Sequence, residues 1–470
     1  MDRDTLYSRL AQIVGPEHVL TGADVSARAT HFWDASPLTA AAIVRPADTA
    51  QTAAVLKLCH EAGQVVVTQG GATGLVKGHA STDNDLLLSM ERMNDIEPVD
   101  FTGRTVTVGA GAILQNVQQA ADDAGLQLGL DLGARGSCTI GGNISTNAGG
   151  LAVLRYGMTR EQVLGLEVVL PDGTILSSLN RMMKNNAGYD LKQLFIGSEG
   201  TLGVITRAVL RLRPATPALA TALLAFDRFE QVSATLGHLS HALNGTLDAF
   251  EVIWQPFYAL NTDTEREGSS QSPLPRDYAL YAIVESRGSE SDATDDQFEQ
   301  ALGSALENEL IVDAVIVQSE RERQNIWHIR EHIDIALQHD PVFVYDISLP
   351  IADMQPYVDS VLTQLQQRWP DVILYVYGHL ADGNLHILVA PPAEQELEAE
   401  EKARWHEFSN QLIYQPLQSL GGSISAEHGI GLSKKPYLPL SRSAAEISLM
   451  QSLKRTLDPS GILNPGKIFD

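Results

Sequence analysis

The chain has 470 residues, 44% hydrophobic and 19% charged, an ordinary globular composition in a chain too long for one hydrophobic core; roughly three domain-sized units is the expectation. Its formal net charge of −25 argues against nucleic acid and anionic membranes as partners, but not against a small anion that a local arginine or metal captures. Cys59 and Cys138 are too few for a disulfide framework or a cysteine zinc site, the start Met1-Asp2-Arg3-Asp4 is polar, and no apolar run of about 18 residues occurs; a cytoplasmic location, or a peripheral one at the inner face of the membrane, is the expectation.

The first part of the chain alternates strand-like and helix-like stretches. Ala41–Val44 reads as a short strand, and Asp48 caps the helix after it, with Gln51 three residues on and Gly63 as its stop. Val65–Val67 is the next strand and runs into Gly70-Gly71-Ala72-Thr73-Gly74. Thr105–Val108 leads through Gly109-Ala110-Gly111 into a helix with Leu114, Val117, Ala120 and Ala121 on one face. Val163–Leu170 and Thr174–Leu176 flank Pro171-Asp172-Gly173 as a hairpin, and Leu202–Leu212 is a strand that stops at Pro214. Pro214 and Pro217 mark a domain boundary. Beyond it, Arg266–Asp277 and Ser286–Asp296 read as polar loops and Glu394–Phe408 as an exposed acidic helix.

Three glycine-rich loops stand out: Gly70–Gly74, Gly136–Gly150 and Gly197–Gly203. Glycine lets a backbone approach a ligand and aim several N–H groups at it, and the interleaved Ser, Thr and Asn add hydrogen-bonding partners. Such loops suit a pyrophosphate joined to a planar ring system. Neither a Rossmann fingerprint nor a Walker loop is present, since Leu114 stands where a third glycine would follow Gly109 and Gly111, and no Gly-Lys-Ser/Thr occurs.

Two later segments carry reactive side chains: Gly378-His379-Leu380-Ala381-Asp382-Gly383-Asn384-Leu385-His386 and Ser425-Ala426-Glu427-His428-Gly429-Ile430-Gly431. Two imidazoles and a carboxylate make a three-ligand site for a divalent metal with open positions, and the remaining imidazole can serve as a base. Neighbours on a regular strand point to opposite faces, so Glu427 and His428 can serve one site only if the backbone is irregular, which Gly429 permits.

Thr68–Gly74, Gly136–Gly150, Arg155-Tyr156-Gly157, Lys184–Gly203 and Asn464-Pro465-Gly466-Lys467 resemble, in order, the FAD-binding signatures of the vanillyl-alcohol oxidase superfamily. The two histidine segments resemble its FAD-dependent D-2-hydroxyacid dehydrogenases of D-lactate and D-2-hydroxyglutarate type. The resemblance implies an α+β fold: a two-part FAD-binding domain (1–214), a substrate or cap domain with an antiparallel sheet (215–420), and a C-terminal segment (421–470) returning to the FAD domain. It implies that FAD is held by Gly70, Gly71, Thr73, Gly74 and Leu75, by Ser137, Thr139, Gly142, Asn143, Thr146, Asn147, Ala148, Gly149 and Gly150, and by Ile205 and Asn464. The first loop departs from the family's Pro-Arg-Gly-Gly-Gly-Thr-Gly at Thr68, Gln69 and Ala72; the Ala72 methyl opposes positive φ. No histidine lies between Gln69 and Gly78, which argues for non-covalent flavin, with His79 just outside the loop.

By the same likeness His379, His386 and Glu427 ligate the metal, zinc ahead of manganese or cobalt, His428 is the catalytic base and contacts substrate, and Arg330 and Asn384 bind substrate. Without the likeness, Arg330 would read as a surface helix charge; Cys138, inside the second loop, reads as a small buried residue. Relatives acting on 2-hydroxyglutarate use a Thr and a Lys for the distal carboxylate; Asp334 and Val344 stand there. The expectation is therefore a monocarboxylic D-2-hydroxy acid such as D-lactate or D-mandelate, with D-2-hydroxyglutarate or an alditol- or aldonolactone-type oxidation as the alternatives. A homodimer is expected, passing electrons to a quinone, an electron-transfer flavoprotein or a dye.

Overall fold

The computed structural model describes residues 1–470 apart from Trp33 and residues 393–396, with the side chains of Leu337 and Gln338 also left aside. The chain forms two compact units, one of Met1–Gly150, Tyr156–Ala215 and Glu427–Asp470, the other of Leu151–Arg155 and Thr216–Ala426.

Two main sheets build the first unit. One runs in the order Val19–Leu20, Ala42–Val44, Leu86–Ser89, Val66–Gln69, with the last three strands parallel. The other is antiparallel, in the order Ile175–Ser178, Val163–Val169, Val204–Pro214, Thr105–Gly109. Local chemistry sets the helix between the first parallel strands: Asp48 accepts from Gln51 N at 2.8 Å, and Gly63 closes Thr49–Ala62 at φ 64°. The Gln51 amide oxygen reaches back to Ala47 N–H, one residue before the cap. The turn Pro171-Asp172-Gly173 joins paired strands, with Ile175 opposite Val169. Leu56, Val66, Leu88, Val108, Ile140 and Leu463 belong to one core.

The second unit is centred on a seven-stranded antiparallel sheet. Its order is Asp313–Ile316, Ala218–Phe226, Leu280–Gly288, Leu247–Trp254, Ile373–His379, Asn384–Ala390, Phe343–Ser348. Parallel and antiparallel sheets with intervening helices make the chain α+β, the class expected from sequence. Among the described residues no helix is long and apolar enough to cross a membrane.

Three local expectations change. Gly136–Gly150 is not all loop: Ile140–Thr146 is helical, capped by Thr139, whose hydroxyl accepts from Gly142 N. Ser286–Asp296 is not a loop: Leu280–Gly288 is paired on both sides, which holds polar Ser286 in the ladder, and Ser291 opens the helix Ser291–Glu307. The acidic helix runs Ala399–Leu420, and residues 394–396 of the expected span lie outside the described residues. It is not solvated all round, because Trp405 and Ser409 are buried and Trp405 stacks on Trp369 at 3.8 Å.

Candidate active site

In the first unit the glycine-bearing segments meet around one cavity. Of the residues expected to hold FAD, Gly70, Gly71, Thr73, Gly74, Thr139, Gly142, Asn143, Thr146, Ile205 and Asn464 line it. The cavity holds about 910 Å³ of empty space with its open mouth included. A Cβ on Gly70 would fall on the Thr139 hydroxyl, and one on Gly71 on the Ser137 carbonyl oxygen, so both positions need glycine for close approach. The buried Thr68 hydroxyl, also on the cavity wall, has no hydrogen-bond partner among the described residues. An unsatisfied polar atom beside a glycine cradle is what a bound diphosphate or flavin would complete, so these residues fit FAD.

The remaining expected contacts do not line the cavity. Asn147 caps the helix at φ 51° and accepts from Arg160 N, Ala148 N–H donates to Asn143 O, and Ser137 supplies the carbonyl beneath Gly71. Gly150, at φ 102°, donates its N–H to Glu427 Oε1 at 2.6 Å. Leu75 and Gly149 are also absent from the wall. Gly109 and Gly111 serve packing, since a Cβ on either would meet the Met93 or Met90 carbonyl. Ala72 adopts φ 53° despite its methyl, a conformation costing about 1 kcal/mol, so the departure from glycine there does not redirect the loop. His79, one residue beyond that interval in sequence, also lines the cavity, and its Nε2 lies 3.0 Å from Thr30 O. Cys138 is 2% exposed, and burial pushes its thiol pKa up, as suits an inert packing residue.

His428 lines the same cavity. The backbone from Ile424 to Ile430 is irregular, with Gly429 at φ 81°, which lifts the alternation rule for Glu427 and His428. Sequence reasoning missed what holds this turn. Glu199 is 8% exposed and accepts from Ile430 N and Gly431 N, each at 2.7 Å. Burial pushes the Glu199 pKa up, and those two amides and Lys434 act against that shift. Asn464 ties the loops together, accepting from Thr68 N and donating to Glu199 O.

The second unit carries the other reactive side chains. His379 ends one strand and His386 lies on the next, with ring centroids 5.5 Å apart. Each has a buried carboxylate beside it. Glu251 Oε1 is 2.5 Å from His379 Nδ1, and Asp346 stands directly opposite His386 in the ladder, its Oδ1 3.9 Å from Nδ1. Burial acts to raise the Glu251 pKa, but His379 and Arg330 beside it outweigh that and hold it below the ordinary carboxylate range. Imidazoles backed by carboxylates present their remaining nitrogens as donors, an arrangement that fits a divalent metal. Asp346 also accepts from Asn384 Nδ2 at 2.9 Å and from Ala426 N at 3.1 Å, which anchors the chain one residue before Glu427.

Arg330 is no surface charge: its side chain is 8% exposed, Nε donates to Glu251 Oε2 at 2.8 Å, and the guanidinium lies 4.4 Å from the Tyr377 ring. Asn384 is buried; its Nδ2 also donates to Ile347 O, while its Oδ1 has no partner among the described residues. Asp334 is exposed on the 3-10 segment Ile333–Gln338, and Val344 is 39% exposed, two residues from Asp346 on the same face of its strand.

Residues 40–178 match the family model described as FAD binding domain, and residues 216–468 the one described as FAD linked oxidases, C-terminal domain. The p-cresol methylhydroxylase structure shares the fold with a TM-score of 0.76 at 14% identity, covering 99% of this chain and 97% of its own. Fold and cavity thus define a flavoenzyme of the vanillyl-alcohol oxidase type. A D-2-hydroxyglutarate dehydrogenase of Xanthomonas citri pv. viticola is 39% identical over 447 residues, spanning 94% of this chain and 91% of its own. One of Stutzerimonas stutzeri is 34% identical over 475 residues and the full length of both chains. The chain belongs to the FAD-dependent D-2-hydroxyacid dehydrogenases of that superfamily, oxidoreductases acting on CH–OH donors.

Proposed function

We propose that the chain oxidises D-2-hydroxyglutarate to the 2-oxo acid. The observation that carries the redox reading is His428 on the wall of the glycine-lined cavity, where a base can face a bound flavin. When bound, FAD supplies the hydride acceptor, and a divalent metal, zinc by donor type, held by His379, His386 and Glu427 supplies the Lewis acid. His428 takes the hydroxyl proton. Arg330, buried and held by Glu251, offers its guanidinium to the substrate carboxylate. Asn384, with its Nδ2 committed to Asp346 and Ile347, has its amide oxygen left over for a donor brought by the bound ligand.

Two relatives matched over nearly their whole length support the dicarboxylate. The sequence expectation of a monocarboxylate rested on Asp334 and Val344. Exposure weakens half of it, because water and salt screen the charge of Asp334. Val344 keeps the second reading, D-lactate or D-mandelate, in play, since it shares a strand face with Asp346 and offers no donor.

A panel of D-2-hydroxy acids with an artificial electron acceptor tests the choice. A charge-assisted contact to the distal carboxylate is worth about 1.5–3 kcal/mol, so kcat/KM for D-2-hydroxyglutarate should exceed that for D-lactate by roughly tenfold or more. The reverse order would establish the monocarboxylate reading.

A further inference from the structure

Glu251 has no place in the ligand or substrate-binding set expected from sequence, yet it touches two members of that set. It lies on Leu247–Trp254, directly opposite His379 of the neighbouring strand. Its side chain is 1% exposed. A buried carboxylate without partners is strongly destabilising, and Glu251 has two partners: Oε1 faces His379 Nδ1 at 2.5 Å, and Oε2 accepts from Arg330 Nε at 2.8 Å. Arg330 Nη2 in turn lies 3.4 Å from His379 Nε2.

We propose that Glu251 is a positioning residue that sets the tautomer of His379 and the pose of Arg330 together, so that one buried carboxylate links metal affinity to grip on the substrate carboxylate. The inference rests on the metal-assisted reading above. A carboxylate only accepts hydrogen bonds, so the proton of neutral His379 resides on Nδ1 and the lone pair on Nε2. The same group holds the Nε edge of Arg330, which leaves the Nη end of the guanidinium directed away from the acid. Tyr377, two residues before His379 on the same strand face, supports that guanidinium from its ring.

The isosteric variant E251Q separates this role from packing. A glutamine satisfies both neighbours by accepting from Arg330 Nε–H with its oxygen and donating its amide N–H to His379 Nδ1. That moves the imidazole proton to Nε2, which removes the metal-binding lone pair and the acceptor that faced Arg330 Nη2, while volume and the contact to Arg330 Nε persist. E251D keeps an acceptor-only group on a shorter arm.

The test is zinc titration of the FAD-loaded protein against a chromophoric chelator, with the flavin spectrum and melting temperature recorded for each form. E251Q should bind zinc about 10- to 100-fold more weakly than the unsubstituted protein, with flavin content and melting temperature nearly unchanged, and E251D should recover part of the loss. At saturating zinc, KM of E251Q for the hydroxy acid should stay within about threefold of the original, because glutamine still holds Arg330. Equal zinc affinity in E251Q and the unsubstituted protein would overturn the positioning role. Failure of the unsubstituted protein itself to bind zinc would overturn the metal-assisted reading, and this inference with it.

Discussion

Replacing His428 with alanine should lower the rate of flavin reduction by a D-2-hydroxy acid by about 10²- to 10⁴-fold, the range for loss of a positioned base, while FAD stays bound. The imidazole lines the cavity without belonging to the glycine cradle, so removing it leaves the close backbone approaches at Gly70 and Gly71 untouched. The turn that carries it is fixed from below by Glu199, through Ile430 N and Gly431 N, and by Gly429 in the left-handed region. None of those contacts uses the His428 ring. Stopped-flow measurement of the visible flavin band, with cofactor content determined on the same sample, checks both halves. Reduction at the original rate would remove His428 as the base; loss of FAD would show that the ring holds the cofactor.

Gly71→Ala should produce protein with little or no FAD. The new Cβ would lie 2.1 Å from the Ser137 carbonyl oxygen and 3.0 Å from Cys138 Cα. Both are backbone atoms with little freedom: Cys138 N donates to Ala134 O, and Leu114 N donates to Cys138 O. Relief would require the first glycine segment to move away from the Thr139-capped helix that forms the facing wall. Overpacking of this kind costs about 1–3 kcal/mol, and against backbone the upper end is expected, a loss of roughly tenfold to more than a hundredfold in affinity. Gly133→Ala is the control, since nothing lies within 4 Å of a Cβ there. Flavin-to-protein ratio after purification, followed by FAD titration of the apoprotein, gives the comparison. Equal cofactor content in both variants would mean that the approach of Gly71 to Ser137 does not shape the site.

Local features were readable because their causes are local. Asp48, Gly63 and the Pro171-Asp172-Gly173 turn announce their structure within a few residues, and alternating apolar runs announce the strands of the first unit. The helix Ile140–Thr146 was hidden because Gly141 and Gly142 are poor helix formers; the close approach of Gly141 to Ala110, which a Cβ would block, explains the glycine better than propensity does. Glu199 and Glu251 were invisible for a different reason. Glu251 sits in Leu247-Asp248-Ala249-Phe250-Glu251-Val252-Ile253-Trp254, a mostly apolar strand with two acids, and its partners are 79 and 128 residues away. Only strand pairing brings them together. A buried acid inside a central strand was the available signal, since such a group must be paired to be tolerated. Arg330 shows the converse: the helix Glu320–Glu331 is rich in charge, and nothing in its pattern separates the buried arginine from exposed Arg321.

The most direct test is anaerobic mixing of the FAD-loaded protein with D-2-hydroxyglutarate, its L enantiomer and D-lactate, before and after metal removal by a chelator. The visible flavin band should bleach with the D-2-hydroxy acids and not with the L enantiomer. Stripping the metal should slow bleaching by about 10²-fold or more, as expected for loss of several kcal/mol of Lewis-acid assistance, and zinc should restore it. A flavin that no D-2-hydroxy acid reduces, or one reduced equally fast without metal, would contradict the account.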